Sequence, residues 1–220
     1  MKAMRDKRRG GAAPRRVVMR AALMSLVAAA LWLGLPVAQA QAKGGTGATF
    51  TINAGAGYTN TADVTLTLRA SGATLMRFRN ASSPTYSPWE SYAVSRAWTL
   101  DPGDGVQTVY AQYKIGSGPR TTLTDAITLD TTGPVTTTDY DGLPARSVTV
   151  TLLPVDALSG VAATWYRVDG GTWSQGAVPT LHVGHKRSSL GAGQHTLEYY
   201  ANDVLGNTGP VASCVVTLQY

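Results

Sequence analysis

The sequence predicts an all-β protein in which two tandem antiparallel β-sandwiches follow an N-terminal signal-peptide helix. Three observations predict it. Helical signals are almost absent after Ala40, where threonine, valine and tyrosine dominate and glycine, proline and Asp-Gly turns recur at short intervals. Several segments alternate apolar and polar residues at period two, as a strand with one buried face does. The order of these segments then runs twice, with "LDTTGP" (129–134) between the two passes.

The leader comes first. Residues 1–20 carry eight basic side chains and one acid, Asp6, and the apolar run "AALMSLVAAALWLGLP" (21–36) follows. The small residues Ala38 and Ala40 close it, which predicts cleavage after Ala40 and removal of residues 1–40. A retained anchor is the rival reading, because residues 21–38 are nearly long enough to span a bilayer; Pro36 and the small-x-small end favour cleavage. Arg15-Arg16 leaves the twin-arginine route open beside the general one.

Cleavage changes the electrostatics. The chain has 19 basic and 13 acidic residues, so the leader's share leaves eleven basic against twelve acidic, about −1 for residues 41–220. No basic stripe that would neutralise phosphates remains in the sequence, and a nucleic-acid partner is excluded on that ground. Cys214 is the only cysteine, so no internal disulfide forms and each core rests on apolar burial. Cys214 alternates with Ala212, Val216 and Leu218, as a small buried side chain would, with a reactive thiol as the other reading.

The first sandwich is expected over 41–131. "ADVTLTLRA" (62–70) turns Val64, Leu66 and Leu68 to one face, and "LMRFRN" (75–80) buries Met76 and Phe78 while Arg77 and Arg79 face water. "SRAWTL" (95–100), the turn "DPGDG" (101–105), "VQTVYAQY" (106–113) and "DAITLD" (125–130) complete it. The second is expected over 132–220. There "SVTVTLLPV" (147–155) corresponds to the 62–70 strand and "TWYRVDGGTW" (164–173) to the Met76–Phe78 region, with a hairpin turn at Asp169-Gly170-Gly171. "GQHTLEYYANDVLGN" (193–207) aligns with "GVQTVYAQYKIGSGP" (105–119), and "ASCVVTLQY" (212–220) closes the set. The short proline-containing link, 131–134, predicts a semi-rigid junction rather than a loose tether.

Several of these pieces carry a resemblance. "INAGAGYTN" (52–60), "MRFRN", "WESY" (89–92), "WTLDPGDGVQTVYAQYK" (98–114) and "ITLDTTGP" (127–134) resemble bacterial Ig-like, fibronectin-III-like repeats of cell-surface proteins. "TLLPVDALSGVAATWYRVDGGTW" (151–173) and "GQHTLEYYANDVLGN" resemble the related OmpL-type Ig-like repeat. The resemblance covers nearly all of 50–220 and implies sandwiches used as stalks, adhesins or accessory modules, without catalysis. It departs at "RASGATL" (69–75), which lacks the acid that repeats of this kind carry. It departs again at 115–119, where the Asp-x-x-Gly-Asn turn kept at 203–207 has become Ile115-Gly116-Ser117-Gly118-Pro119. With two repeats and no wall-sorting tail evident after Tyr220, the chain reads as a small free-standing member or a remnant of a longer array.

Patterns that carry chemistry are few in the sequence. His182 and His185 are the one paired-histidine spacing, in a glycine-bearing segment where a metal site would need ligands from elsewhere and a solvated loop is the competing reading, and His195 is expected exposed at the start of a strand. No Gly-x-Ser-x-Gly elbow or phosphate-cradling loop occurs, and Glu90 and Glu198 are the only glutamates after the leader. The expectation is a protein that is not an enzyme and needs no cofactor. A calcium ion is the one candidate, at Asp156, Asp203 and Asn207, where the competing reading is Asx-type turns. Trp89 and Trp173 are expected to share a packing role. Trp165 beside Arg167 is either a stacking platform for a sugar ring or a ring covered by the neighbouring sandwich.

The function expected is that of an exported structural or adhesive surface module, secreted or held at the cell surface, whose partner is a surface protein or a polysaccharide. A carbohydrate-binding accessory module is the alternative. No membrane span is expected after the leader, and an outer-membrane barrel is disfavoured by Arg77, Arg79 and Arg167 on the non-core faces.

Overall fold

The computed structural model describes residues 47–184 and 190–220, so the leader, the cleavage position after Ala40 and His185 lie outside the described residues. The chain is all-β. Its first half contains β1 (Thr49–Ile52), β2 (Tyr58–Thr59), β3 (Asp63–Arg69), β4 (Leu75–Asn80), β5 (Glu90–Ser91), β6 (Ser95–Thr99), β7 (Gly105–Lys114) and β8 (Thr121–Leu129). Its second half contains β9 (Val135–Thr138), β10 (Ser147–Thr149), β11 (Leu152–Val155), β12 (Val161–Val168), β13 (Ser174–Gln175), β14 (Thr180–His182), β15 (Gly193–Asp203) and β16 (Ala212–Leu218).

In the first half a sheet of order β1-β3-β6 faces a sheet of order β2-β8-β7-β4-β5. The alternation read from sequence decides which side chains meet between them. Val64, Leu66 and Leu68 from β3 close on Met76 and Phe78 from β4 and on Val109, Ala111 and Tyr113 from β7. Each large side chain removed from water in this way contributes roughly 1.5–3 kcal/mol. Trp98 on β6 covers the edge of this core, its ring 5.8 Å from Phe78 and its Nε1–H donated to Asn80 Oδ1 at 2.6 Å. Asp125 on β8 is the polar exception inside; it accepts the Ile52 N–H at 2.8 Å and so ties β1 to β8, while burial raises its carboxyl above the ordinary range.

The second half repeats the strand order. A β13-β12-β15-β16 sheet stands where the first half has β5-β4-β7-β8, and Leu197, Tyr199, Val216 and Leu218 meet Val148, Val150, Leu152 and Leu181 in a separate core. Cys214 is half-buried against this core, and burial pushes its thiol up, which lowers its nucleophilicity at neutral pH.

Four expectations need correction. "SVTVTLLPV" is two strands rather than one: β10 pairs with β14, β11 pairs with β9, and the change falls where Asp139 Oδ1 accepts the Thr151 N–H at 2.7 Å. The pairing is not wholly antiparallel, because Tyr58 and Thr59 run parallel to Thr128 and Leu129. His182 is the exposed last residue of β14, not a loop residue. His195 is half-buried rather than exposed, with its side chain 13% accessible.

His195 is held by the β12–β13 hairpin. Asp169 and Gly170 take φ of 51° and 70°, both central residues of a turn closed by Gly171 N–H to Val168 O at 2.9 Å. Asp169 Oδ2 then lies 2.7 Å from His195 Nδ1, and Gly191 O lies 3.0 Å from Nε2. Both ring nitrogens face acceptors, so the protonated ring satisfies both. The Asp169 bond and then the Gly191 carbonyl raise the His195 imidazole, while the His195 bond lowers the Asp169 carboxyl.

The linkage has a definite sign. The histidine's contribution is complete below its ordinary value of 6.5 and is lost as pH rises through its raised folded value. The aspartate's contribution is present above its ordinary 3.8 and is lost as pH falls through its lowered folded value. Urea-denaturation midpoints should therefore fall as pH rises from the ordinary histidine value of 6.5 through the raised folded value in the wild type. They should fall less in His195→Gln, and equal slopes would show that the bridge contributes nothing.

Candidate functional site

The link between the halves is held from several sides. Asp104, in the β6–β7 turn, holds both of its threonines: Oδ1 accepts the Thr131 N–H at 2.9 Å and the Thr131 hydroxyl at 2.7 Å, and Oδ2 accepts the Thr132 hydroxyl at 2.6 Å. The Thr132 hydroxyl, then the Thr131 bonds, lower the Asp104 carboxyl. Beyond them Gly133 and Gly209 lie backbone against backbone. A Cβ on Gly133 would fall inside contact distance of Thr208 and Gly209 main-chain atoms, and one on Gly209 would strike the Pro134 carbonyl. Neither glycine has a positive φ, so closeness alone requires them.

Three carboxylates converge beside this contact. One oxygen each from Asp130, Asp156 and Asp203 lies within 4.8 Å of the others, with Asp130 and Asp203 buried. Asp156 Oδ1 accepts the Leu158 and Gly160 N–H groups at 3.1 and 2.6 Å, and Asp203 Oδ1 accepts those of Leu205 and Asn207 at 2.9 and 2.8 Å. These are the Asx-type turns anticipated for both residues. The same groups cross the link. Asp130 Oδ2 accepts the Ser159 N–H at 3.0 Å, Asn207 Nδ2 donates to Asp130 O at 2.8 Å, and Asn60 Nδ2 donates to Leu205 O at 3.0 Å. Sequence reasoning paired Asp156 with Asp203 and Asn207 but missed Asp130. Its signal was its place at the end of β8, directly before the proline link.

The residues present fit a hard cation in donor type, since three carboxylates within such a distance repel one another and oxygen donors suit calcium. One further observation bears on it. Ser159, whose N–H meets Asp130, has a hydroxyl oxygen sealed from solvent with no hydrogen-bond partner among the described residues.

The other candidate residues lie on the outer face of the β13-β12-β15-β16 sheet. The Trp165 ring stacks on Tyr200 of the adjacent strand, centroids 6.4 Å apart at 14°, and Trp173 meets the same Tyr200 edge-on at 4.7 Å. The Arg167 guanidinium lies 4.6 Å over Trp173 and forks onto Glu198 at 2.7 and 2.9 Å. The Glu198 bond raises the guanidinium and lowers the carboxyl. Trp89 and Trp173 do share a packing role, on the outer face: Trp89 is covered by Arg77 at 4.4 Å as Trp173 is by Arg167. Among the described residues no helix is long and apolar enough to cross a membrane.

No protein-family model matches the chain, and no curated protein matches it. Among solved structures it is similar to the fibronectin(III)-like modules of CbhA from Clostridium thermocellum. That likeness has a TM-score of 0.37 at 12% sequence identity, over 78% of this chain and 94% of that one.

Proposed function

We propose that this protein is an exported, non-catalytic structural or adhesive module, secreted or held at the cell surface. It would be built of two Ig-like sandwiches, residues 41–131 and 132–220, the second of the OmpL type. The observation that carries this reading is the braced link. A connection in which Asp104 fixes both threonines, Asn207 holds the Asp130 carbonyl and Gly133 packs on Gly209 suits a spacer that presents its faces at a set angle. The basic-apolar leader supports export. Fractionation of the producing cell followed by N-terminal sequencing tests it. The protein should appear in the medium or surface fraction beginning at Gln41, and an uncleaved cytoplasmic chain would refute export.

A calcium ion at Asp130, Asp156 and Asp203, with Asn207 bracing two of them, would further stiffen the link by offsetting the repulsion among the acids. Ion bound only by the folded state stabilises it in proportion to the logarithm of its concentration. In chelator-treated protein, calcium should give a saturable binding heat and raise the melting temperature, and Asp203→Asn should abolish both. Silence in the calorimeter would leave the acids as makers of Asx turns alone.

The second reading, a carbohydrate-binding accessory module, is favoured by the Trp165–Tyr200–Trp173 aromatic group beside Arg167, which suits the apolar face of a sugar ring. In pull-downs on insoluble polysaccharides and cell wall, Trp165→Ala should lose binding that the wild type shows. Unchanged binding would move the site off this face, and no binding by either would leave protein partners.

A further inference from the structure

The two outer faces are built alike, yet only one is electrically closed. Arg167 on β12 is the cross-strand partner of Glu198 on β15, and the two neutralise each other. In the same relation Arg77 on β4 is the cross-strand partner of Gln112 on β7. Gln112 accepts only the Arg77 Nε–H, at 2.9 Å, and gives its amide to Thr122 Oγ1 at 3.0 Å. No carboxylate offsets the Arg77 charge there.

Arg77 is one of three such cations. Lys114 Nζ lies 4.5 Å over Trp89, Arg77 lies over Trp89 and over Tyr86 at 4.7 Å, and Arg79 lies over Tyr86 at 5.2 Å and Tyr110 at 4.0 Å. Rings and cations thus alternate along the face. Arg79 spends Nη1 on the carbonyls of Asn80, Ala81 and Ser83. None of the three cations pairs with a carboxylate among the described residues; Glu90 is taken by Arg96, and Asp101 by Asn80 and Ser82. Lys114 stands beside Leu75 in the register, so the charges fall at the 75, 77 and 79 positions of one strand. At two residues per step that is a row with a spacing of about 7 Å.

We propose that this row binds an acidic polysaccharide of the uronate class along the outer face of the five-stranded sheet. Ring contacts and backbone bonds hold the two guanidinium groups in place, and neither the Arg77 Nη groups nor the Arg79 Nη2 and Nε groups bond a protein acceptor among the described residues, which leaves N–H groups to fork onto a carboxylate. A row of cations suits a chain bearing one carboxylate per sugar better than a single small anion. It suits nucleic acid poorly, because the ring faces on which bases would stack are already covered by cations. The inference is independent of sugar binding at Trp165.

Affinity electrophoresis of the protein through gels containing alginate or, as a neutral control, dextran tests it. The wild type should be retarded by alginate alone, progressively less as salt is added. Arg77→Gln/Arg79→Gln should weaken binding by about tenfold or more, while Arg69→Gln on the opposite sheet should leave it unchanged. Gln112→Glu decides the matter even if the double variant misfolds, for it removes no cation and supplies the internal carboxylate that Glu198 supplies in the second half; it should weaken alginate binding comparably. The proposal is overturned by any of three results: no retardation of the wild type, equal retardation by dextran, or wild-type binding in Gln112→Glu. Tighter binding to duplex DNA than to alginate at equal salt would also overturn it and make nucleic acid the partner.

Discussion

The second half is set against the link by a contact of two backbones at Gly133 and Gly209. Packed atoms cannot interpenetrate, and main chain has no rotamer by which to move aside. The chain leaving β8 must therefore pass the 208–209 loop at one height and one angle. Several polar groups are disposed around that passage. Asp104 reaches from the β6–β7 turn to fix the two threonines, Asp130 turns its carbonyl to Asn207, and the Asp203–Asn207 turn closes over it. The first half has no acid-bearing counterpart: Ile115–Gly118 is held by Gly118 N–H to Ile115 O at 3.0 Å and by Gly116 N–H to the Thr74 hydroxyl at 3.0 Å. The acid-bearing turn survives where there is a junction for it to brace.

The carboxylates in this region play separate parts. Asp104 lies on the exposed side, where three donors lower its carboxyl with little burial to oppose them. Asp130 and Asp203 are buried and use their oxygens on N–H groups of neighbouring turns. Buried acids held within a few ångströms of one another are costly unless the protein or an ion supplies positive charge. Seven N–H contacts to Asp130, Asp156 and Asp203 meet part of that need.

Much of the fold was legible because period-two alternation is a direct consequence of burying one face. Val64, Leu66 and Leu68, or Met76 and Phe78, could hardly be placed otherwise, and they are buried as read. The split of 147–155 was not legible. Its alternation runs unbroken from Ser147 to Leu152, across the split, and the change of partner depends on Asp139, remote in sequence, taking the Thr151 N–H. His195 was misplaced for the same reason, as its cover comes from Asp169, 26 residues earlier. Asp130 shows the limit at the site: one acid at the end of a strand has no pattern of its own, and only the close packing of the link sets it against Asp156 and Asp203. The ring-and-cation ladder was half legible. Arg77 and Arg79 were read as outward, but the partnership with Tyr86 and Trp89 needs the 81–89 segment to fold back over the face.

Comparison of the two outer faces says more than either alone. Both present an arginine on the second core strand beneath a tryptophan that follows it, Arg77 with Trp89 and Arg167 with Trp173, so packing alone explains the pair in each half. What packing does not require is the identity of the cross-strand residue. Glutamate at 198 satisfies the guanidinium through two bonds, and glutamine at 112 gives it one uncharged acceptor. A half-buried carboxylate forked by an arginine is a charge-assisted interaction, and the first half does without it. The same face adds two further cations without adding an acid. An excess of one sign maintained on an otherwise well-satisfied surface is what a surface needs when the opposite charge is to arrive from outside.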